Sequence, residues 1–458
     1  MTDVNKRDKT IAAVRGNVRE YIVTYVFLIL SVILVIYSGR PMTDILQQVM
    51  GRLSRNLFVV LALIIPIIAG MGINFAITIG AMAAQIGLLL AINWEIKGIL
   101  GLLVAAGITL PLGAVFGFLI GSLLNKMKGQ ETIGSLILGY FANGAYQLLF
   151  LFIFGKLIPL SEKVTIVGAT GVANTLNLTG QVGLHTALDG LWRVPFGTAL
   201  YGVSAIVLLG AVLLFALKKM SRNRFILLSA VAVGSVLLYQ IPAVQKAFSM
   251  ANVPVVTFLV VAVLCLFNVA IMKTRLGQKF RAVGQSRTVA NASGINVNRV
   301  RVIAIMISTV LAGWGQIIFI QNLGTLQTYS AHEMVGLYAG AAILVGGASL
   351  NKATNGQAIV GCVLFHLLFV VAQDAGRNLF GDPAIGEFFR VFISYGVIAV
   401  ALVMHSWKKQ KAQAELSRYP IPPRRTGCRG ETPVGGPAAA NRTQRGRGLA
   451  ASRAATPT

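Results

Sequence analysis

Long apolar runs separated by short polar breaks dominate this chain. Leu57–Asn93 carries no charged side chain, and neither do Gly98–Asn125, Thr132–Gly155, Ala247–Met272 and Val302–Ala331. Each is at least as long as the roughly 20 residues with which a helix crosses a bilayer. Barrel strands are short and alternate apolar with polar positions, so uninterrupted runs exclude a transmembrane β-barrel. The pattern predicts an all-α, polytopic transmembrane helical bundle with about 10–12 spans. The spans are expected at Tyr21–Ser38, Leu57–Met71, Ile73–Asn93, Gly98–Leu124, Thr132–Phe154, Gly197–Leu217, Phe225–Gln240, Pro254–Met272, Val302–Gln321, Met334–Leu350, Gln357–Gln373 and Glu387–Ser406. Pro66, Gly70 and Gly72 interrupt the second run, so Leu57–Asn93 also admits one crossing followed by a broken or re-entrant segment. Met334–Leu350 is short and glycine-rich.

Charge adds an orientation. Only 12% of residues are charged and mean hydropathy is +0.74, about half the charge of a soluble domain. The net charge of +26 raises the question of nucleic acid, which the positions of the charges answer in the negative. Basic residues cluster at Lys6–Arg19, Lys126/Lys128, Lys218–Arg224, 273–301, Lys352 and Lys408–Lys411. Alternating spans put every cluster on one side, the positive-inside pattern, with both termini cytoplasmic. Arg40, Arg52 and Arg55 break it, and are expected on a short amphipathic segment at the outer surface. Residues 1–20 form a polar cytoplasmic segment with no small-residue cleavage site before the first span. Residues 21–407 form the transmembrane domain. Residues 408–458 are rich in Pro, Gly, Ala and Arg, and are expected to be a disordered basic tail.

Candidate chemistry is sparse. No GxxxxGK[ST] phosphate loop is present, and Gly346–Lys352 has Asn351 where the second Gly is needed. The four histidines lack ligand spacing, and Cys265, Cys362 and Cys428 form no disulfide or zinc framework. No metal, cofactor or catalytic residue is expected, so the chain is not read as an enzyme. Nor does a run of intramembrane Asp, Glu or Lys resemble an ion relay. What the apolar runs do carry is small residues and amides. Gly113, Gly117 and Gly121 repeat every fourth residue, which permits close helix contact. A buried amide costs free energy unless paired. Asn74, Gln85, Asn143, Gln147 and Gln321 either bond neighbouring helices or line a path for a small polar solute.

One polar stretch lies between two apolar runs. Residues 273–301 hold Lys273, Arg275, Lys279, Arg281, Arg287, Arg299 and Arg301, and no acid. Gln278–Val283 and Thr288–Ser293 are expected as short helices punctuated by Gly277, Gly284 and Gly294. A membrane protein needs so long a polar stretch only if something docks on it.

This stretch resembles the permease subunits of bacterial ABC importers for simple sugars, nucleosides and branched-chain amino acids. The family's G-x-x-x-R-A-x-G-x-[NS]-x-x-A-A-x-x-[GS]-G-I-[NK] segment is matched by Gly277, Arg281, Ala282, Gly284, Ala290, Gly294, Ile295 and Asn296. Its G-G-x-S loop is matched by Gly346, Gly347 and Ser349, although Lys352-Ala353 replaces the usual glycine pair. Gly72–Gly80 is similar to its G-I-D-L-S-V-G stretch, with Asn74 for Asp. The resemblance covers roughly residues 20–407. It implies a multi-pass protein of the bacterial inner membrane. It also implies partners: a separate ATP-binding subunit, a second permease subunit in a homo- or heterodimer, and a periplasmic or lipid-anchored binding protein. ATPase coupling would then fall to Gly277, Arg281, Ala282, Gly284, Ala290 and Gly294. A sugar, a nucleoside and a flavin-like compound all remain open as the solute, and a secondary transporter that works without an ATPase is the competing reading.

Overall fold

The computed structural model describes residues 21–403, except 128, 153–166, 169–170, 173–174, 181, 219, 394, 397–398 and 401–402. The chain divides into 1–408 and 409–458. The expected N-terminal segment and tail lie outside the described residues.

Helix α1 spans Tyr21–Ser38. Then follow α2 (Met42–Ala62), α3 (Ile64–Ile68), α4 (Ile77–Asn93), α5 (Gly98–Lys126) and α6 (Glu131–Phe152). A long connection leads to α7 (Phe196–Ala216), α8 (Arg222–Tyr239) and α9 (Pro242–Ala247). The second half has α10 (Val255–Lys273), α11 (Arg275–Gln285), α12 (Arg287–Ala292), α13 (Val297–Leu323), α14 (Val335–Val345) and α15 (Asn355–Phe380). Residues 383–393 form α16. Three small antiparallel pairs tie loops together: β1 (Val167–Gly168) with β2 (Gly171–Val172), β3 (Thr175–Asn177) with β6 (Thr325–Gln327), and β4 (Arg193–Pro195) with β5 (Asn252–Pro254).

Among the described residues, nine helices are long and apolar enough to cross a membrane. Helices α4 and α14 are apolar but shorter, at 17 and 11 residues. The expected span Leu57–Met71 is not a separate element. It continues the polar segment before it into one 27-residue helix, Met42–Ile68. Gly70 and Gly72, at φ of 71° and 70°, then break the chain before α4, a left-handed conformation that glycine adopts without strain. The broken alternative therefore holds. The last expected span, Glu387–Ser406, is described as helical at 383–393 and lies mostly outside the described residues beyond that.

The polar stretch forms two helices, both differing from expectation. α11 and α12 start where Thr274 and Ser286 cap them, accepting from the Gly277 and Val289 amides at 3.2 and 3.3 Å. Gly277 and Gly284 therefore lie inside α11 and do not end it. They are glycine because of contact: a Cβ at Gly277 would overlap the Ile271 carbonyl, and one at Gly284 the Ile68 carbonyl. Only Gly294, at φ 78°, follows the end of a helix.

The centre of the bundle is α13, packed against α5, α4 and α2. Gly113, Gly117 and Gly121 all face it. Cβ atoms added there would lie 3.2, 2.6 and 3.0 Å from the Cα atoms of Val310, Met306 and Val302. Backbone approach of this kind is what small residues permit in membranes. We expect Gly117→Leu to force α5 off α13 and lower stability by about 1–3 kcal/mol, read as a fall in the thermal midpoint in detergent. Wild-type stability in that variant would refute the seam.

Candidate functional site

The break at residues 69–76 and the capped helices α11 and α12 meet at one end of the bundle. α11 is amphipathic. Gly277, Phe280 and Val283 are buried, while Arg275, Lys279 and Arg281 are exposed. Gly284 is half-buried against the break: a Cβ on Gly70 would sit 2.9 Å from its Cα. Ala282 is also half-buried, Ala290 is buried and Gly294 is exposed. Val289 projects from α12 with 65% of its surface exposed. Six residues chosen from sequence thus divide by place. Gly277, Gly284, Ala282 and Ala290 seat the helices, whereas Arg281 and Gly294 lie on the outer face.

An ion network fastens this platform. Glu131 opens α6 and takes Arg287 of α12 at 2.7 Å and Arg301 of α13 at 2.5 Å, both on Oε1. Arg301 is 1% exposed, and its other donors reach Asn125 Oδ1 at 2.8 Å and Met71 Sδ at 2.7 Å. Arg287 also donates to the Gly70 carbonyl at 3.1 Å. Four elements and the break therefore share one buried carboxylate. Sequence reasoning missed it, because its members lie 170 residues apart and Arg301 reads as one more loop charge.

Beside the break is a cavity of about 170 Å³ lined by Phe75, Thr78, Tyr140, Asn143, Glu333 and Leu337, among others. Of the expected path residues only Asn143 lines it. Asn143 donates to Glu333 Oε1 at 3.1 Å, and Gln147 donates to Asn143 Oδ1 at 3.4 Å. Behind Asn143, His332 Nε2 lies 2.7 Å from its Oδ1, and His332 Nδ1 lies 3.0 Å from Gln85 Oε1. Both ring nitrogens thus face amide oxygens, yet a neutral imidazole has one N–H. Turning the Gln85 amide over brings its otherwise unpartnered Nε2 against Nδ1, and His332 then donates to Asn143. Tyr146 hydroxyl, 2.6 Å from the Gln85 amide and 3.1 Å from the Thr328 carbonyl, closes the network.

Asn74 and Gln321 stand apart from the cavity. Asn74 is buried, and its Oδ1 accepts from the Ala76 amide at 3.1 Å, shaping the break. Gln321 is buried at the far end of α13, where it donates to the Ile318 carbonyl and accepts from the Leu188 amide. Among the described residues, no group of three His, Cys, Asp or Glu side chains is placed to hold a metal ion.

Residues 45–402 match the family described as "Branched-chain amino acid transport system / permease component". The chain belongs to this permease family. It is similar to a probable ABC transporter permease, y4mJ, of Sinorhizobium fredii, at 26% identity over 56% of this chain and 80% of that protein. It also resembles the xylose transport system permease XylH of Haemophilus influenzae, at 30% identity over 34% of this chain and 40% of that one. The ribose import permease RbsC of Bacillus subtilis is 28% identical over 33% and 45%. The chain thus spans under half the length of each of these two sugar permeases. No solved structure matches it. The permease is a multi-pass inner-membrane protein and not an enzyme.

The permease departs from the sequence expectation at Arg52 and Arg55. They do not lie on a separate short segment. They sit on the continuous helix Met42–Ile68, of which Arg55 is the middle residue. Their segment reads as polar because its charges share one face, while its other face carries Ile45, Val49 and Leu57 into the core. Arg52 Cζ lies 4.4 Å from the Phe369 ring centre, and Arg55 Cζ lies 5.7 Å from that of Phe319.

Proposed function

We propose that this chain is the membrane-spanning subunit of an ATP-driven importer for a small polar solute. It couples to a separate ATP-binding subunit through α11 and α12. The observation that carries the reading is the seated basic platform. Its buried face touches the break at Gly70, and its outer face presents Lys279, Arg281, Val289 and Gly294. Glu131 and Arg287 link the platform to the break, so a push on α12 reaches residues 69–76 directly. Such a platform serves a chain that lacks a phosphate loop of its own.

Two permease subunits, alike or paired, form the path, and a periplasmic or lipid-anchored protein delivers the solute. Both termini of the permease face the cytoplasm, in keeping with the positive-inside pattern. Ribose, xylose and nucleosides, named for the relatives, point to a hydroxyl-rich or ring-shaped solute, for which the Asn143–Glu333 wall of the cavity offers hydrogen bonds. Asn143, with Gln147 behind it, is the path residue, whereas Gln85 orients His332, and Asn74 and Gln321 hold backbone.

Asn143→Leu is therefore expected to lower the uptake rate several-fold with little change in apparent affinity, since affinity resides in the delivering protein. Uptake by vesicles carrying the variant at wild-type level tests this, and an unchanged rate removes Asn143 from the path. The coupling reading is tested by reconstitution with and without the ATP-binding subunit: solute moved by the permease alone would make it a secondary transporter.

A further inference from the structure

Two cavities lie end to end along one face of α13. The first, of about 460 Å³, is walled by α2, α5, α10 and α13, and every residue lining it is apolar, Ala114, Phe267, Val310 and Trp314 among them. The indole N–H of Trp314 already donates to the Ala106 carbonyl at 3.1 Å, so it is spent. The second, of about 700 Å³, opens between the end of α5 and the start of α13. Phe118, Val302 and Ile303 continue the apolar lining there, whereas Lys126, Arg299 and four amide or hydroxyl side chains form the mouth. Met306 lines both cavities, so the two run into one groove. Among the described residues, no acid lines either part.

Lys126 and Arg299 are exposed, at the end of the bundle that carries α11 and α12. Asn125, in the same mouth, accepts from Arg301 Nη1 at 2.8 Å, which joins the groove to the buried ion network. That network sets two guanidiniums, Arg287 and Arg301, on the one carboxylate of Glu131, so its charge is net positive. The glycine seam fixes α5 on α13 beneath the groove: a Cβ on Gly117 would lie 2.6 Å from the Met306 Cα. Backbone contact, and not a movable side chain, therefore sets the spacing of the two helices.

From Val302 to Trp314 the helix rises about 18 Å, against roughly 15 Å for one leaflet of a roughly 30 Å hydrocarbon core. Cations thus stand at one end of the groove, and an apolar trough of one leaflet's length follows. An anionic lipid has the same order from headgroup to acyl chain, and basic recesses between spanning helices hold such headgroups. A soluble polar solute would leave the trough unmatched. A second copy seated here by a two-fold contact would set like charges against each other.

We propose that this groove binds an anionic glycerophospholipid, with its phosphate on Lys126 and Arg299 and an acyl chain lying along α13 as far as Trp314. The phosphate brings negative charge beside the Arg287–Glu131–Arg301 network, so the bound lipid steadies the end on which α11 and α12 sit. The inference depends neither on the solute nor on what docks on α11.

The test uses the full chain, purified in a neutral detergent and stripped of lipid. Dioleoyl phosphatidylglycerol and dioleoyl phosphatidylcholine, which share their acyl chains, are added separately, and inorganic phosphate is the third arm. Native mass spectrometry counts the lipid retained. Phosphatidylglycerol should be held about tenfold better than phosphatidylcholine and should raise the thermal midpoint by about 2 °C or more. Phosphate alone should not. Lys126→Gln/Arg299→Gln should hold the two lipids equally. Ala114→Phe, which fills the trough and leaves the mouth intact, should lose retention of both.

Equal retention of the two lipids by wild type, including none of either, would overturn the site. So would a preference that survives in the Lys126→Gln/Arg299→Gln protein. A midpoint raised as much by phosphate as by phosphatidylglycerol would mean a free-anion site and no lipid. In native membranes, oxidised Ala114→Cys should give no more disulfide-linked dimer than wild type, and dimer above that level would put a second copy in the groove instead.

Discussion

Replacing Glu131 by Gln is expected to lower the stability of the permease by about 3–5 kcal/mol, because it leaves Arg301 buried without its counter-charge. Arg301 is 1% exposed, and its guanidinium sits 2.5 Å from the carboxylate. Asn125 and Met71 satisfy its other nitrogens but bring no negative charge. Differential unfolding in detergent should show a midpoint lowered by about 5 °C. Adding Arg301→Met should recover part of the loss, since exchanging a whole buried pair for apolar groups is far cheaper than breaking it. Arg287→Gln alone should change stability little, as this side chain is 35% exposed. Yet it removes the bond to the Gly70 carbonyl, and should weaken coupling out of proportion to stability. A Glu131→Gln protein as stable as wild type would show that the network is not holding α6, α12 and α13 together.

The second large effect is expected from Ala282→Pro. Ala282 lies in the interior of α11, where proline removes an amide donor and clashes with the preceding turn, at about 3 kcal/mol or more. α11 is short, and the residues buried beneath it are Gly277, Phe280 and Val283, so it should unwind locally while the spanning helices persist. Solute-dependent ATP hydrolysis and uptake should both disappear. The paired control is Lys279→Glu/Arg281→Glu, which alters only exposed side chains. It should keep the wild-type midpoint and still lose most of the coupling. Coupling that survives both changes would remove α11 from the docking surface.

Much of the fold was legible because the bilayer imposes a length and excludes charge. Gly98–Leu124 and Val302–Gln321 read as spans and are most of α5 and of α13. The glycine repeat in α5 read as a packing seam and is one. Legibility failed where local chemistry yields to tertiary contact. Gly277 and Gly284 read as helix ends, but they lie inside α11 because the Ile271 and Ile68 carbonyls leave no room for a Cβ. Arg52 and Arg55 read as a separate short segment, because the charge-free run begins only at Leu57, whereas the helix runs on from Met42 to Ile68. Asn143 and Gln147 stood out as amides, while their partners His332 and Glu333 lie about 190 residues away. The spacing of Asn143, Tyr146 and Gln147 along one helix face was the local signal that pointed there.

The central claim is that this permease works through a separate ATP-binding subunit held by α11 and α12. ATP hydrolysis by the assembly purified through a tag on this chain tests it most directly. The account predicts that the wild-type preparation retains an ATP-binding subunit and hydrolyses ATP, and that the Lys279→Glu/Arg281→Glu preparation, equally folded, has lost both. A wild-type preparation that carries no ATPase and moves solute on its own would contradict it.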